Sequence, residues 1–318
     1  MKRTSEIEYG ILSLLLAEKR ITRKRVLDAN PIRPATVLTV IQAMVQHGLL
    51  REPERSGKNT GSRASPIELN PDYGCFMGIE LDVRAAVALA IDTQGRTIAT
   101  CRIPFAAPPN RAAAQEAVSS AVKQVRLELS ASRIPLRALG FADPGLVDTA
   151  AGVSIRAVNI EGWERLPTAA WFREQVGVPV HLLPGPSARA YAEYFSAEAS
   201  KPRSLFHLQI DEAIGGGFIQ DGTLFRGDTG CGMELGHVVV EEDGPQCHCG
   251  NRGCLEAVAS LAWVRQRVAE LTLQRVTSQL TREPFQWNSG SGPARRLTRL
   301  PAGWQRTWQE PWARRWFP

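Results

Sequence analysis

Apolar residues recur three and four positions apart in EIEYGILSLLLA (residues 6–17), so Ile7, Ile11, Leu14 and Leu15 share one face of a predicted helix. A second short helix fits residues 22–28, with the Thr22 hydroxyl as its candidate N-cap. NPIRP then turns the chain. Pro34, whose fixed φ suits a first helical position, opens a third helix over residues 34–47. Ala35, Val37, Val40, Ile41, Met44 and Val45 give that helix an apolar side, and Arg33, Thr36, Thr39 and Gln42 fall largely on the other. After Gly48 the pattern becomes strand, basic Gly/Ser-rich loop, strand across residues 49–69.

Three short helices followed by a basic hairpin predict a winged helix-turn-helix. In that layout the second helix of the pair enters the major groove N-terminus first. Thr36, Thr39 and Gln42 suit base edges and Arg33 suits guanine or phosphate, while Arg51, Arg55, Lys58 and Arg63 along the wing suit phosphates or the minor groove.

Beyond Asn70-Pro71 the period shortens. CFMGIELDVRAAVALAID (75–92) reads as two strands, Thr93-Gln94-Gly95 as a turn, and RTIATCRIPF (96–105) as a third strand. RAAAQEAVSSAVKQVRLEL (111–129) is helical, and RALGFADPGLVD (137–148) is a buried strand running into a Pro-Gly turn. VPVHLL, SLFHLQI and GGGFIQDG are further strand candidates, so the body is expected to be α/β. The predicted organisation is a head over 1–70, a body over 71–270 and a divergent tail over 271–318.

Charge sharpens the division. Residues 1–66 hold 12 Lys/Arg against six Asp/Glu, and residues 271–318 hold eight Arg against two Glu, although the whole chain carries only +6. A basic head on an acidic body fits a nucleic-acid-binding partner. No run of 18 apolar residues predicts a membrane span, and the N-terminal apolar stretch is broken by charge and lacks a small-residue cleavage site, so a cytoplasmic location is expected. Of the six cysteines, Cys247, Cys249 and Cys254 lie within eight residues, a spacing that suits a metal better than a disulfide framework.

Four stretches, GFADPGLVD with VNIEGW after it, FIQDGTLFRG, MELGHVVV and CHCGNRGCLEA, resemble the ROK family of repressors and sugar kinases. The resemblance runs from the head to about residue 260. It implies an actin-like ATPase fold in two lobes behind a winged helix, with double-stranded operator DNA as partner and assembly as a homodimer or homotetramer. It also implies that His237, Cys247, Cys249 and Cys254 hold a structural zinc ion, a closed tetrahedral set with no open position for catalysis. Gly250 and Gly253 would permit the tight knuckle, and His248 is an alternative nitrogen ligand that points away if its neighbours point inward. Asn159, Glu234, His237 and Glu256 match the family's sugar contacts, so a sugar or another small molecule is expected as effector; alternatively Asn159 and Glu256 only satisfy local backbone groups.

The same resemblance allows a check for phosphoryl transfer. The first phosphate loop, D-x-G-G-T in the family, corresponds to Glu80-Leu81-Asp82-Val83-Arg84. The second corresponds to Asp211 to Gly217, where Asp211 and Glu212 place like charge against a phosphate. The general-base position is Gly185, so no catalytic residue is expected there and no ATP as cofactor. The expected function is a DNA-binding regulator of repressor type without enzymatic activity. Its rivals are a sugar kinase with an appended head and a decayed or truncated paralogue. The tail makes the last plausible: Trp304, Trp308, Trp312 and Trp316 recur every four residues, a stripe that could serve as a membrane or partner surface, but Pro311 argues against an unbroken helix, and a truncated or frame-shifted end lacking the family's closing helices is expected instead.

Overall fold

The computed structural model describes residues 2–53, 66–196, 202–228 and 230–273. Arg55, Lys58, Arg63 and the Trp-rich stretch lie outside the described residues. The chain divides into a compact unit over 1–265 and a second over 266–318.

The head contains α1 (Lys2–Glu18), β1 (Arg20–Thr22), α2 (Arg23–Ala29), α3 (Pro34–Gln46), β2 (Leu50–Arg51) and β3 (Pro66–Leu69). Thr22 caps α2, its hydroxyl accepting the Arg25 N–H at 3.1 Å. Pro34 occupies the first turn of α3. Ile7, Ile11 and Leu15 of α1, Val26 of α2, and Val37 and Ile41 of α3 bury together with Leu50 and Ile67 of the strands. The strands form an antiparallel sheet in the order β1-β3-β2. Ala35, expected on the apolar side of α3, is exposed in the first turn, before the helix reaches its packing partners.

Glu68 in the middle of that sheet is buried and takes Arg20 at 2.7 Å and Arg51 at 2.9 Å. Burial alone would raise its pKa, but the two guanidiniums outweigh burial and hold the carboxyl below its ordinary value.

The body has two main sheets and a smaller one between them in sequence. The first comprises β4 (Cys75–Leu81), β5 (Ala85–Asp92), β6 (Thr97–Pro104), β7 (Leu136–Asp143) and β11 (Val180–Pro184), in the order β11-β7-β4-β5-β6. β11, β7 and β4 are parallel, and β4, β5 and β6 antiparallel. α4 (Arg111–Ser132) lies on this sheet. Ala86, Ala88, Ala90 and Ala99 from the strands bury with Ala114, Ala117 and Ala121 from the helix, and small side chains on both surfaces allow close packing.

A small antiparallel sheet of β8 (Leu146–Asp148), β9 (Val153–Arg156) and β10 (Glu164–Leu166) follows, with α5 (Thr168–Val176) after it. α6 (Gly185–Ser196) leads to the second main sheet: β12 (Ser204–Ile210), β13 (Ile214–Gln220) and β14 (Thr223–Leu224). α6 packs on β13, where a Cβ at Gly217 would sit 2.6 Å from Ala190 Cβ. Part of the glycine run therefore serves helix packing. α7 (Leu255–Ala259) and α8 (Leu261–Leu273) complete the described elements.

The head touches both sheets of the body. Thr93 Oγ1 donates to Asn70 O at 2.7 Å and Gln94 Nε2 to Leu69 O at 2.9 Å, from the β5–β6 turn. Tyr9 OH donates to Gly222 O at 3.3 Å, at the β13–β14 turn.

Candidate ligand cleft and cysteine knuckle

A cavity of about 390 Å³ opens between the two main sheets. Asn159, Glu234, His237 and Glu256, scattered across 98 positions, all line it, together with Arg84, Gly185 and Asp211 from the segments that correspond to the family's phosphate loops and base position.

The phosphate side is filled by ion pairs. Asp82 Oδ1 accepts the backbone N–H groups of Arg84 at 2.6 Å and Ala85 at 2.8 Å, which shapes the β4–β5 turn. Arg84 then reaches across to Asp211 at 2.6 Å, and Arg189 holds Glu80 at 2.5 Å. Burial works against the Arg84 charge, but Asp211 and Asp82 together raise its pKa. Glu212 is paired with Arg265. The expectation that Asp211 and Glu212 place like charge against a phosphate is thus corrected. Both carry arginine partners, and the Arg84 side chain itself spans the gap between the two turns.

Gly185 is the first residue of α6 and supplies no carboxylate. The neighbouring acid, Asp143, pairs with Pro184 in the β7–β11 register, but it is fully buried. Its Oδ1 accepts Gly145 N–H at 2.9 Å, and its Oδ2 accepts Ser154 Oγ–H and, at 3.4 Å, Trp163 Nε1–H. Burial pushes its pKa up to about 6, against the lowering effect of those three donors. Both oxygens of Asp143 are thus engaged by donors, although the residue lines the cavity.

On the other side, Glu256 is buried and its Oε2 accepts Ile214 N–H at 2.8 Å. His248 Nε2 lies 2.7 Å from Glu256 Oε1, with its ring edge-on to His237. Half of the Glu256 carboxylate therefore braces β13. Glu234 remains accessible at the cleft wall, where desolvation raises its pKa, aided by Glu256 and opposed by His237.

Behind His237, the four donor atoms of His237, Cys247, Cys249 and Cys254 lie within 4.8 Å of one another. Cys247 Sγ is 3.7 Å from His237 Nδ1, and Cys249 Sγ is 3.6 Å from Cys254 Sγ. A tetrahedron with metal–sulfur bonds of about 2.3 Å has edges of roughly 3.8 Å. Burial, and then the adjoining sulfurs, push the Cys254 thiol up to about 12, while backbone hydrogen bonding first of all lowers that of Cys249. The knuckle needs its glycines: Gly250 has φ +102°, and at Gly253 (φ +68°) a Cβ would fall 1.6 Å from Glu241 O.

In the head, Arg33 precedes α3, and Thr36, Thr39 and Gln42 are exposed on it, opposite buried Val37, Val40, Ile41 and Met44. Thr39 Oγ1 also donates to Ala35 O at 2.9 Å. Arg51 is engaged by Glu68.

Sequence reasoning missed Asp143 and the Arg84–Asp211 bridge. Asp143 stands inside GFADPGLVD, but a single Asp ending an apolar strand carries no sign of its burial.

A cleft between two α/β sheets, backed by a cysteine knuckle, defines a protein of the actin-like sugar-kinase fold. The chain belongs to the ROK family, whose pattern matches residues 76–286. It is 26% identical over 276 residues to the xylose repressor of Caldicellulosiruptor bescii, covering 84% of this chain and 66% of that one. A ROK family transcriptional regulator homologous to Escherichia coli Mlc superposes with a TM-score of 0.71 at 21% identity, over 86% of this chain and 68% of that one. A Streptomyces griseus glucokinase, solved with glucose and AMPPNP, gives a TM-score of 0.55 at 27% identity, over 64% and 62%. The chain spans about two thirds of the length of the curated relatives it matches.

Proposed function

We propose that this chain is a sequence-specific DNA-binding transcriptional regulator of repressor type, with a winged-helix head and a body that binds rather than phosphorylates a small molecule. The observation that carries the reading is α3. One helix buries Val37, Val40, Ile41 and Met44 while presenting Arg33, Thr36, Thr39 and Gln42 outward. The helix–strand–helix–helix–strand–strand order of the head supports the winged-helix assignment. Likeness to a repressor supports the same class.

The cleft argues against phosphoryl transfer. Arg84 stands where a phosphate would need close backbone approach, and Gly185 leaves no base. A sugar-class effector would use Asn159, Glu234, His237 and Glu256, with Glu256 partly committed to Ile214 and His248. Zinc is the ion that suits a Cys₃His set, and His237, Cys247, Cys249 and Cys254 would hold it. Its contribution there is structural: it fixes the knuckle and leaves the Nε2 side of His237 toward the cleft. Head contacts at Gln94 and at Gly222 reach both sheets, so a change in the cleft would alter how the head is held. The protein acts in the cytoplasm as a symmetric oligomer, matching paired half-sites. Among the described residues, no helix is long and apolar enough to cross a membrane.

Genome-wide footprinting of the full chain tests the reading: discrete protected sites are expected, and Arg33→Ala with Gln42→Ala should erase them. Uniform, sequence-independent protection, or ATP-dependent phosphorylation of glucose by the purified chain, would refute it.

A further inference from the structure

We infer that Asp143 is a positioning residue for the ligand cleft, clamping both ends of the loop that carries Asn159. The inference rests on the reading of the cleft as a small-molecule site. Asp143 ends β7, and its side chain turns away from solvent into the junction between β9 and the loop before β10. One oxygen takes Gly145 N–H, at the Pro-Gly turn. The other takes Ser154 on β9 and the indole N–H of Trp163. Asn159 lies between those two anchors in sequence and lines the cavity.

The rest of the loop is arranged round the clamp. Ala157 N–H donates to Trp163 O at 2.9 Å, and Trp163 N–H to Ile160 O at 3.1 Å, so residues 157–163 close on themselves. Ser154 Oγ is 2.6 Å from Thr168 Oγ1, which ties the clamp to the start of α5. A Cβ at Gly145 would lie 2.1 Å from Arg156 O, so the turn after Asp143 packs directly against the loop backbone. Trp163 is itself buried, and its ring packs beside Phe141 with centroids 6.3 Å apart. Among the described residues no cation bonds to Asp143; its donors are all neutral. A buried carboxylate held by three neutral donors is costly unless each bond is made, and each bond here ends on a segment bordering Asn159.

The carboxylate therefore does for the cleft what an outer-shell partner does for a metal ligand. It borders the cavity, but both of its oxygens are spent on Gly145, Ser154 and Trp163, so its part is to fix Asn159, the residue that meets the ligand. An amide at this position keeps one acceptor but turns an NH₂ toward donors, so it cannot satisfy Gly145, Ser154 and Trp163 together.

The test uses the full chain, wild type against Asp143→Asn, with Ser154→Ala as a milder variant that removes one donor. Hydrogen exchange over residues 154–163 is read first, with α4 as an internal reference. Exchange there should rise at least tenfold in Asp143→Asn and less in Ser154→Ala, with α4 unchanged. In protein labelled with ¹⁵N-indole tryptophan, the Trp163 indole resonance, assigned with Trp163→Phe, should move upfield in Asp143→Asn. Calorimetric titration with D-xylose, D-glucose and N-acetyl-D-glucosamine is the second arm. Whichever sugar binds wild type should bind Asp143→Asn at least tenfold more weakly, and the Ser154→Ala effect should not add to it. Unchanged exchange in 154–163, or unchanged affinity for a sugar that wild type binds, overturns the positioning role. Binding of none of the three sugars by wild type would count against the effector reading, while the exchange and indole data still decide whether Asp143 holds the loop.

Discussion

The two sides of the cleft have diverged in opposite ways. On the β4–β5 side, Val83 and Arg84 occupy the turn, and the space is closed by Arg84–Asp211 and Arg189–Glu80. On the knuckle side, Asn159, Glu234, His237 and Glu256 line the cavity beside a set of metal-ligand type. Internal ion pairs engage the charges of the first wall, whereas on the second Glu234 stays accessible and half of the Glu256 carboxylate braces β13. The difference teaches that the two walls of one cleft can be built to different ends, because they come from separate elements of the chain: one is closed by ion pairs, the other lined by polar groups.

The largest effect should come from the knuckle. Cys254→Ser is expected to lose about one equivalent of bound zinc, measured by elemental analysis, and to lower the melting temperature by roughly 10 °C or more, since binding energy at a structural site is folding energy. Cys101→Ser, remote from the cluster, should change neither. Equal zinc content in Cys254→Ser and wild type would remove the metal from the comparison.

The next effect is on pH dependence. Folding raises the Asp143 pKa from its ordinary 3.8 to about 6, so the folded state holds an extra proton between about pH 4 and 6. The stability contribution therefore falls as pH rises through that window, by at most about 3 kcal/mol, and is flat above it. Urea melts from pH 4 to 7 should show this descending component in wild type and lack it in Asp143→Asn; parallel profiles would contradict the assignment.

A smaller change tests the rebuilt wall. Arg84→Ala leaves Asp211 without its cation. Because Arg84 is 40% exposed, the cost is screened to about 1–2 kcal/mol in denaturant melts. The same variant should gain no ATP-dependent phosphorylation, since Gly185 is untouched. A rise in turnover would mean that the ion pair alone had silenced a kinase.

The head was legible because its signals are local. Pro34, the Thr22 cap and the three-four spacing place α2 and α3 within a residue of their observed ends. β1 was not legible, since three residues show no period, and its pairing with β3 depends on a segment 45 positions away. In the body the main strands were read from apolar runs, but β9, β10 and α5 were not, being short and mixed in polarity. The cysteine knuckle was readable because three of its four residues fall in one short loop. Arg84–Asp211 joins residues 127 apart, and no pattern along the chain announces it.

The central claim is that α3 reads DNA sequence. Fluorescence anisotropy at fixed salt, with a footprinted fragment and a scrambled one, tests it directly. Wild type should prefer the footprinted fragment by about 10³-fold or more. Gln42→Ala should lose about 1–3 kcal/mol on that fragment alone, and Arg33→Ala should weaken it too. Equal affinity for both fragments, or no loss on either substitution, would contradict the account.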